Sequence, residues 1–149
     1  MLRCTRLSHF SPRLGLFHKR EYCTAGSEKI GKKRYLFVVS YLGTEYQGVQ
    51  LNSSITTIQG TIHDAIYKLG WIPQLHHENP SSVSWNQCSR TDKGVHALFN
   101  LISCKMRLAE SNAVTKLNNE LPKDIRILDI ITVPRGLDAK KYCLNRAYE

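Results

Sequence analysis

The sequence predicts an α+β fold built on an antiparallel sheet, with elements in the order β-α-β-β-α-β. Three observations carry this expectation. Tyr35–Tyr41 and Ile125–Val133 are rich in aromatic and β-branched residues and read as strands. Ile58, Ile62, Ala65, Ile66 and Leu69 recur at helical spacing, and Val114, Leu117 and Leu121 repeat that pattern more weakly. Between these helices, two shorter apolar runs flank a dense polar stretch, Ser89–Ala97.

In chain order, Tyr35–Tyr41 is expected as a strand with both faces largely covered, since only Ser40 interrupts its aromatic and apolar residues. Leu42–Gln50 follows as a loop, in which Gly43 and Gly48 bracket Tyr46 and Gln47 as a candidate ligand wall. Thr56-Thr57-Ile58-Gln59 reads as a capping box, with Thr56 at the N-cap and Gln59 three residues on. Gly70 fits the helix stop. Trp71–Asn79 is expected as a loop, with His76 and His77 on its solvated surface rather than on a metal. Ser82–Cys88 and Leu98–Cys104 read as strands on either side of the polar stretch. Pro122 closes the second helix, Ile125–Val133 is the next strand, and Asp138–Glu149 is expected to begin one more. This order is the ferredoxin-like split arrangement, an antiparallel sheet with both helices on one face. RNA-recognition-motif domains share it, but their aromatic-rich RNP1 pattern is absent.

The chain has 149 residues, a length suited to one domain with a real core. Its formal net charge of +9 is unevenly placed. Residues 1–34 carry nine Lys/Arg against two Glu, a balance of +7; residues 35–149 carry twelve against ten acids, only +2. Net charge is therefore weak support for nucleic-acid binding by the folded part. The leader has spaced Arg, several Ser and no acid before Glu21, and lacks the apolar block of a secretory signal. It reads as a mitochondrial or plastid transit peptide, in preference to a basic tail that touches RNA directly. Without such a signal the protein is expected in cytoplasm or nucleus. Gly26 to Arg34 reads as a linker. The domain limits are then 1–33 for leader and linker and 34–149 for one fold. The five cysteines, at 4, 23, 88, 104 and 143, offer neither Cys-x-x-Cys spacing nor a disulfide framework. No apolar run is long enough to span a bilayer. No Gly-x-Ser-x-Gly elbow or metal motif supports a hydrolase.

The polar stretch concentrates the chemistry. Arg90 and Asp92 lie two residues apart on a connection between strands, where loops carry function on a rigid scaffold. An adjacent guanidinium can hold a carboxylate ionised and fixed, and Gly94 allows a sharp turn or a close approach to a ligand. The same residues equally describe a polar turn with a surface ion pair.

Arg90-Thr91-Asp92-Lys93-Gly94-Val95-His96-Ala97 closely resembles the signature of the TruA-type tRNA pseudouridine synthases, Arg-Thr-Asp-x-Gly-Val-His. Four further segments follow in order. Tyr41-Leu42-Gly43-Thr44-Glu45-Tyr46-Gln47-Gly48-Val49-Gln50 resembles the family's Tyr-Asp-Gly-Thr-x-Phe-x-Gly-Trp-Gln, with Leu42 for Asp and Val49 for Trp. Thr57-Ile58-Gln59-Gly60 resembles its helix start, and Leu117–Ile125 its Leu-Asn-x-x-Leu-Pro-x-Asp-Ile. Asp138-Ala139-Lys140 and Arg146-Ala147-Tyr148 resemble its Ala-Arg and Arg-x-Tyr-x-Tyr segment.

The resemblance implies the N-terminal half of a pseudouridine synthase fold, a catalytic half-domain over 34–149 that is cut short at its C-terminal end. It implies Asp92 as the catalytic carboxylate, Arg90 as its positioning partner, and Tyr148 as the ring that packs on the uracil. Tyr148, Arg90, Gln50 and His96 are the implied substrate contacts. The implied reaction cleaves the bond from ribose C1′ to N1 and rejoins the uracil through C5, with no cofactor or metal. Implied partners are RNA, tRNA foremost, no membrane, and a second copy in a homodimer. A non-catalytic RNA-binding or partner-binding module on the same scaffold stands as the alternative, because the family's second half, with another basic active-site residue, is not present in these 149 residues.

Overall fold

The computed structural model describes residues 32–143 and Ala147. The first 31 residues, with the leader, lie outside the described residues, as do Arg146 and Tyr148. The elements are β1 (Lys33–Tyr41), α1 (Ile58–Lys68), α2 (Gln74–Glu78), a 3-10 turn (Pro80–Val83), β2 (Asn86–Gln87), β3 (Ala97–Met106), α3 (Ala113–Glu120) and β4 (Ile125–Val133). The strands form one antiparallel sheet in the order β2-β3-β1-β4, so the fold is α+β.

β1 lies inside the sheet, hydrogen-bonded to β3 on one side and β4 on the other. Tyr35, Phe37, Val39 and Tyr41 are buried, while Leu36, Val38 and Ser40 between them are only half-buried. The strand is thus well covered on one face rather than on both. The buried face packs with Ile58, Ile62, Ala65 and Ile66 of α1 and with Leu117 of α3 in a single core. The opposite face leaves Phe99, Leu128 and Ile131 exposed.

α1 begins one residue later than a capping box would place it. Thr57 is the N-cap, and its hydroxyl accepts from the Gly60 amide at 3.1 Å. The third helical position is therefore Gly60, which has no side chain to complete a box. A Cβ there would stand 3.0 Å from the Thr57 hydroxyl. Gln59 does something else: its carbonyl accepts from the Leu51 amide at 2.8 Å, and its amide donates to Gln87 at 3.0 Å. Gly70, at φ +72°, ends the helix as expected. The Gly70 and Trp71 amides donate back to Tyr67 and Ile66, the paired bonds of a Schellman stop.

The stretch after α1 is not a loop. Trp71 and Ile72 are buried, and α2 follows them. His76 and His77 sit on α2 and are half-buried rather than solvated. His77 stacks on Tyr67 at 4.2 Å between centroids and on His63 at 5.2 Å, and its Nε2 meets Asp64 at 2.8 Å. The strand expected over Ser82–Cys88 shrinks to two residues, because the 3-10 turn and Ser84 at φ +54° occupy its first part. The strand expected from Asp138 is also absent over the described part. Asp138–Tyr142 turns instead, with the Asp138 carboxylate accepting from Lys140 and Lys141 amides and from Asn86.

β4 carries a bulge: Val38 pairs with Asp129, but Val39 pairs with Ile127, skipping Leu128. The Asn118 carboxamide of α3 braces this point. It donates to the Ile127 carbonyl and accepts from the Ile127 amide, both at 2.8 Å. A side chain thus supplies the two bonds that another strand would make to this edge. Asn118→Ala leaves both groups of a buried residue unpaired. It is expected to lower unfolding free energy by about 2 kcal/mol, read from the urea midpoint at unchanged m-value. A shift of only a few tenths would contradict the bracing role.

His63 is buried and its protonation state is dictated by its neighbours. The Trp85 indole can only donate, so His63 Nδ1 accepts from it at 3.3 Å, and Nε2 then donates to the His77 carbonyl at 3.2 Å. A proton on Nδ1 would face a donor. Burial accordingly pushes the His63 pKa below its ordinary 6.5. The unfolded chain binds this proton more readily, so stability is full above that value and is lost as pH falls below 6.5. Urea titrations at descending pH should show this loss for the parent and a shallower one for His63→Gln; parallel curves would contradict the assignment.

Candidate active site

Two loops meet at the end of the sheet where β1 finishes and β3 starts. The first, Leu42–Gln50, is folded back on the second, Cys88–His96. The Val49 amide donates to the Thr91 carbonyl at 3.2 Å, and the Gly94 amide donates to the Tyr46 carbonyl at 3.2 Å. The Gly43 amide donates to His96 Nδ1 at 3.1 Å. Contact this close demands glycine. A Cβ on Gly43 would stand 2.1 Å from the Val95 carbonyl oxygen, and one on Gly48 2.8 Å from that of Thr91, with φ already at +111°. The first turn of α1 fixes the loop from the other side, since the Ile58 and Gln59 amides donate to Gly48 and Val49 carbonyls.

Tyr46 is not a ligand wall. It is buried, and its hydroxyl is pushed up to about 12 by burial and by the Asp124 carboxylate beside it. Gln47, its neighbour, is exposed and reaches the cavity described below.

The Arg90-Thr91-Asp92 tripeptide alternates in and out. Thr91 is buried, with its hydroxyl 2.8 Å from the Tyr41 hydroxyl. Asn100 of β3 donates to the Tyr41 hydroxyl at 3.1 Å and to the Ser89 carbonyl at 3.0 Å. The middle residue is thereby bolted to the sheet, and Arg90 and Asp92 on either side are exposed. Both line a cavity of about 400 Å³, together with Gln47, Gly48, Gln50 and Lys93. Among the described residues no ion pair joins Arg90 to Asp92, so the two share a cavity rather than a contact.

Of the residues singled out in the sequence, Arg90, Asp92 and Gln50 come together here. His96 does not; it lines a separate cavity with Tyr41, Lys123, Asp124 and Arg126, and one ring nitrogen is engaged with Gly43. Tyr148 lies outside the described residues. Sequence reasoning missed Tyr41, Asn100 and Gln59 as the residues that position the site. The signal available was the lone amide of Asn100 within the apolar run Leu98–Ile102.

The Tyr41–Thr91 bond yields a direct test. Tyr41→Phe and Thr91→Val should each lower stability by about 1 kcal/mol. The double variant should lose less than the sum, because one interaction is removed twice. Additive losses in urea titrations would contradict the anchor.

No protein-family model matches the chain. Relatives do. The chain is 37% identical over 122 residues to tRNA pseudouridine synthase 1 of Schizosaccharomyces pombe, covering 82% of this chain and 23% of that protein. It is 36% identical over 121 residues to tRNA pseudouridine synthase 1 of Saccharomyces cerevisiae, covering 81% and 22%. It is 34% identical over 123 residues to the pseudouridylate synthase 1 homolog of Mus musculus, covering 80% and 29%. The chain thus spans less than a third of the length of these relatives, and over about four-fifths of its own length it is similar to tRNA pseudouridine synthases of the TruA type.

Proposed function

We propose that the chain forms part of a tRNA pseudouridine synthase, with Asp92 as its catalytic carboxylate. The observation that carries this is the pairing of Arg90 and Asp92 on the wall of one cavity, held there by the buried Thr91 between them. The target uridine is stacked in RNA and must be flipped out to be reached. Arg90 contacts phosphate or fills the gap the base leaves. Asp92 attacks covalently or removes a proton near the sugar while the C1′–N1 bond breaks. The uracil turns over and rejoins through C5, and the C5 proton leaves to a base, for which Tyr148 is the candidate. Gln50 lines the same cavity and is a contact to the extruded nucleotide; His96 is read as a contact farther along the bound RNA.

The strand order β2-β3-β1-β4, with α1 before β2 and α3 between β3 and β4, supports reading the fold as the ferredoxin-like split arrangement, the N-terminal half of a pseudouridine synthase. A homodimer and an organellar location, mitochondrial or plastid, belong to the same proposal. The leader composition supports the location.

Exposure of Asp92 and Arg90 favours a second reading, a non-catalytic RNA-binding module on the same scaffold. One assay separates them: tritium release from tRNA tritiated at uridine C5. The catalytic reading expects release by the parent, and a fall of roughly 10²–10⁴-fold or more for Asp92→Asn, with tRNA affinity and melting temperature nearly unchanged. Tight tRNA binding with no release by the parent supports the module. Unchanged release by Asp92→Asn overturns the carboxylate assignment.

A further inference from the structure

At the far end of the sheet lies a further cavity, of about 240 Å³, whose lining among the described residues is Lys32, Arg34, Lys105 and Arg135. No acid lines it. Lys32 and Arg34 come from the strongly basic first 34 residues and Lys105 and Arg135 from the nearly balanced remainder, and together they make a local concentration of positive charge.

The placement is costly for the protein alone. Arg34 of β1 and Lys105 of β3 sit directly opposite each other in the register, and like charges across a strand pair destabilise the sheet. Arg34 is also 8% exposed, so its guanidinium is withdrawn from the water that would otherwise screen it. Its Nε donates to the Arg135 carbonyl at 3.1 Å, and one terminal nitrogen donates to the Ser84 carbonyl and the Ser103 hydroxyl. These bonds tie down three segments and fix the guanidinium plane. None of them neutralises its charge, and no hydrogen bond to a described residue uses its other terminal nitrogen. A purely structural arginine would not need three further cations around it. A rigid, buried guanidinium with lysine ammonium groups beside it is the chemistry that recognises a phosphate.

We propose that this cavity is a second anion site, which holds backbone phosphate of the bound RNA at the end of the sheet remote from Asp92. It rests on the RNA reading given above. Tyr41 lies seven residue steps along β1 from Arg34, roughly 23 Å at about 3.3 Å per residue. The two sites therefore cannot serve one nucleotide. The second grips RNA several nucleotides from the extruded base and contributes affinity without reading sequence.

The test is tRNA binding by the full chain across a salt series, for the parent, for Lys105→Gln with Arg135→Gln, and for a charge-matched control, Lys68→Gln with Lys116→Gln. Arg34 is left intact because it ties the fold together. Each lost phosphate contact should reduce the slope of log affinity against log salt by about 1. The first pair should thus lose about two units of slope, the control none, and the first pair should melt no lower than the parent. Equal slopes for the parent and both pairs overturn the second site while leaving RNA binding intact. A parent that does not bind tRNA overturns the RNA reading, and this site with it. Lower melting in the first pair assigns the cations a structural role and also overturns the proposal.

Discussion

The hydrogen bond between the Thr91 and Tyr41 hydroxyls, 2.8 Å long and buried, is the constraint on which the rest of the site depends. Backbone alternation does the remainder. With the middle residue turned into the core, its two charged neighbours must face outward, and both face the same cavity. The anchor is itself held, because Asn100 donates to the Tyr41 hydroxyl and to the Ser89 carbonyl at once. A buried network of this kind is satisfied throughout, which makes it rigid, and intolerant of losing one member.

The glycines belong to the same device. Gly43 and Gly48 let one loop lie against the backbone of the other with no side chain between them. The first turn of α1 takes up two carbonyls of that loop, and Gln59 links it onward to β2. Five sequence segments that resemble the family's motifs are thus, for the most part, not five separate functional sites. Most are the two loops, the helix turn and the brace at β4 that set the position of one tripeptide. Charged residues lie at both ends of the same sheet, an acid and an arginine at one end and a cluster of cations at the other.

Much of this was legible in the sequence where one physical rule dominated. β1, β4 and the apolar stripe of α1 follow from periodicity, and the Gly70 stop from helix-end geometry. The misreadings came where tertiary contact overrode local preference. Thr56 and Gln59 carry the pattern of a capping box, yet Gln59 is worth more as a buried link between Leu51 and Gln87. His76 and His77 read as solvated loop residues, yet the stacking of His77 on Tyr67 and His63 draws α2 against α1. Tyr46 lies between two glycines and looks like a ligand wall, but the glycines turn it inward. That Arg90 and Asp92 share a cavity without touching follows from Thr91 pointing the other way. No spacing rule encodes that, because it depends on where the Tyr41 hydroxyl lies.

Amide hydrogen exchange at Val49 and Gly94, followed by NMR, tests the clamp itself. Their acceptors are the Thr91 and Tyr46 carbonyls across the loop interface. If the two loops form one rigid unit, both amides exchange slowly, with protection that approaches that of the β1–β3 ladder. Exchange of both at the rate of an unprotected loop would mean that the tripeptide is not held, and the account of how Asp92 is positioned would fail.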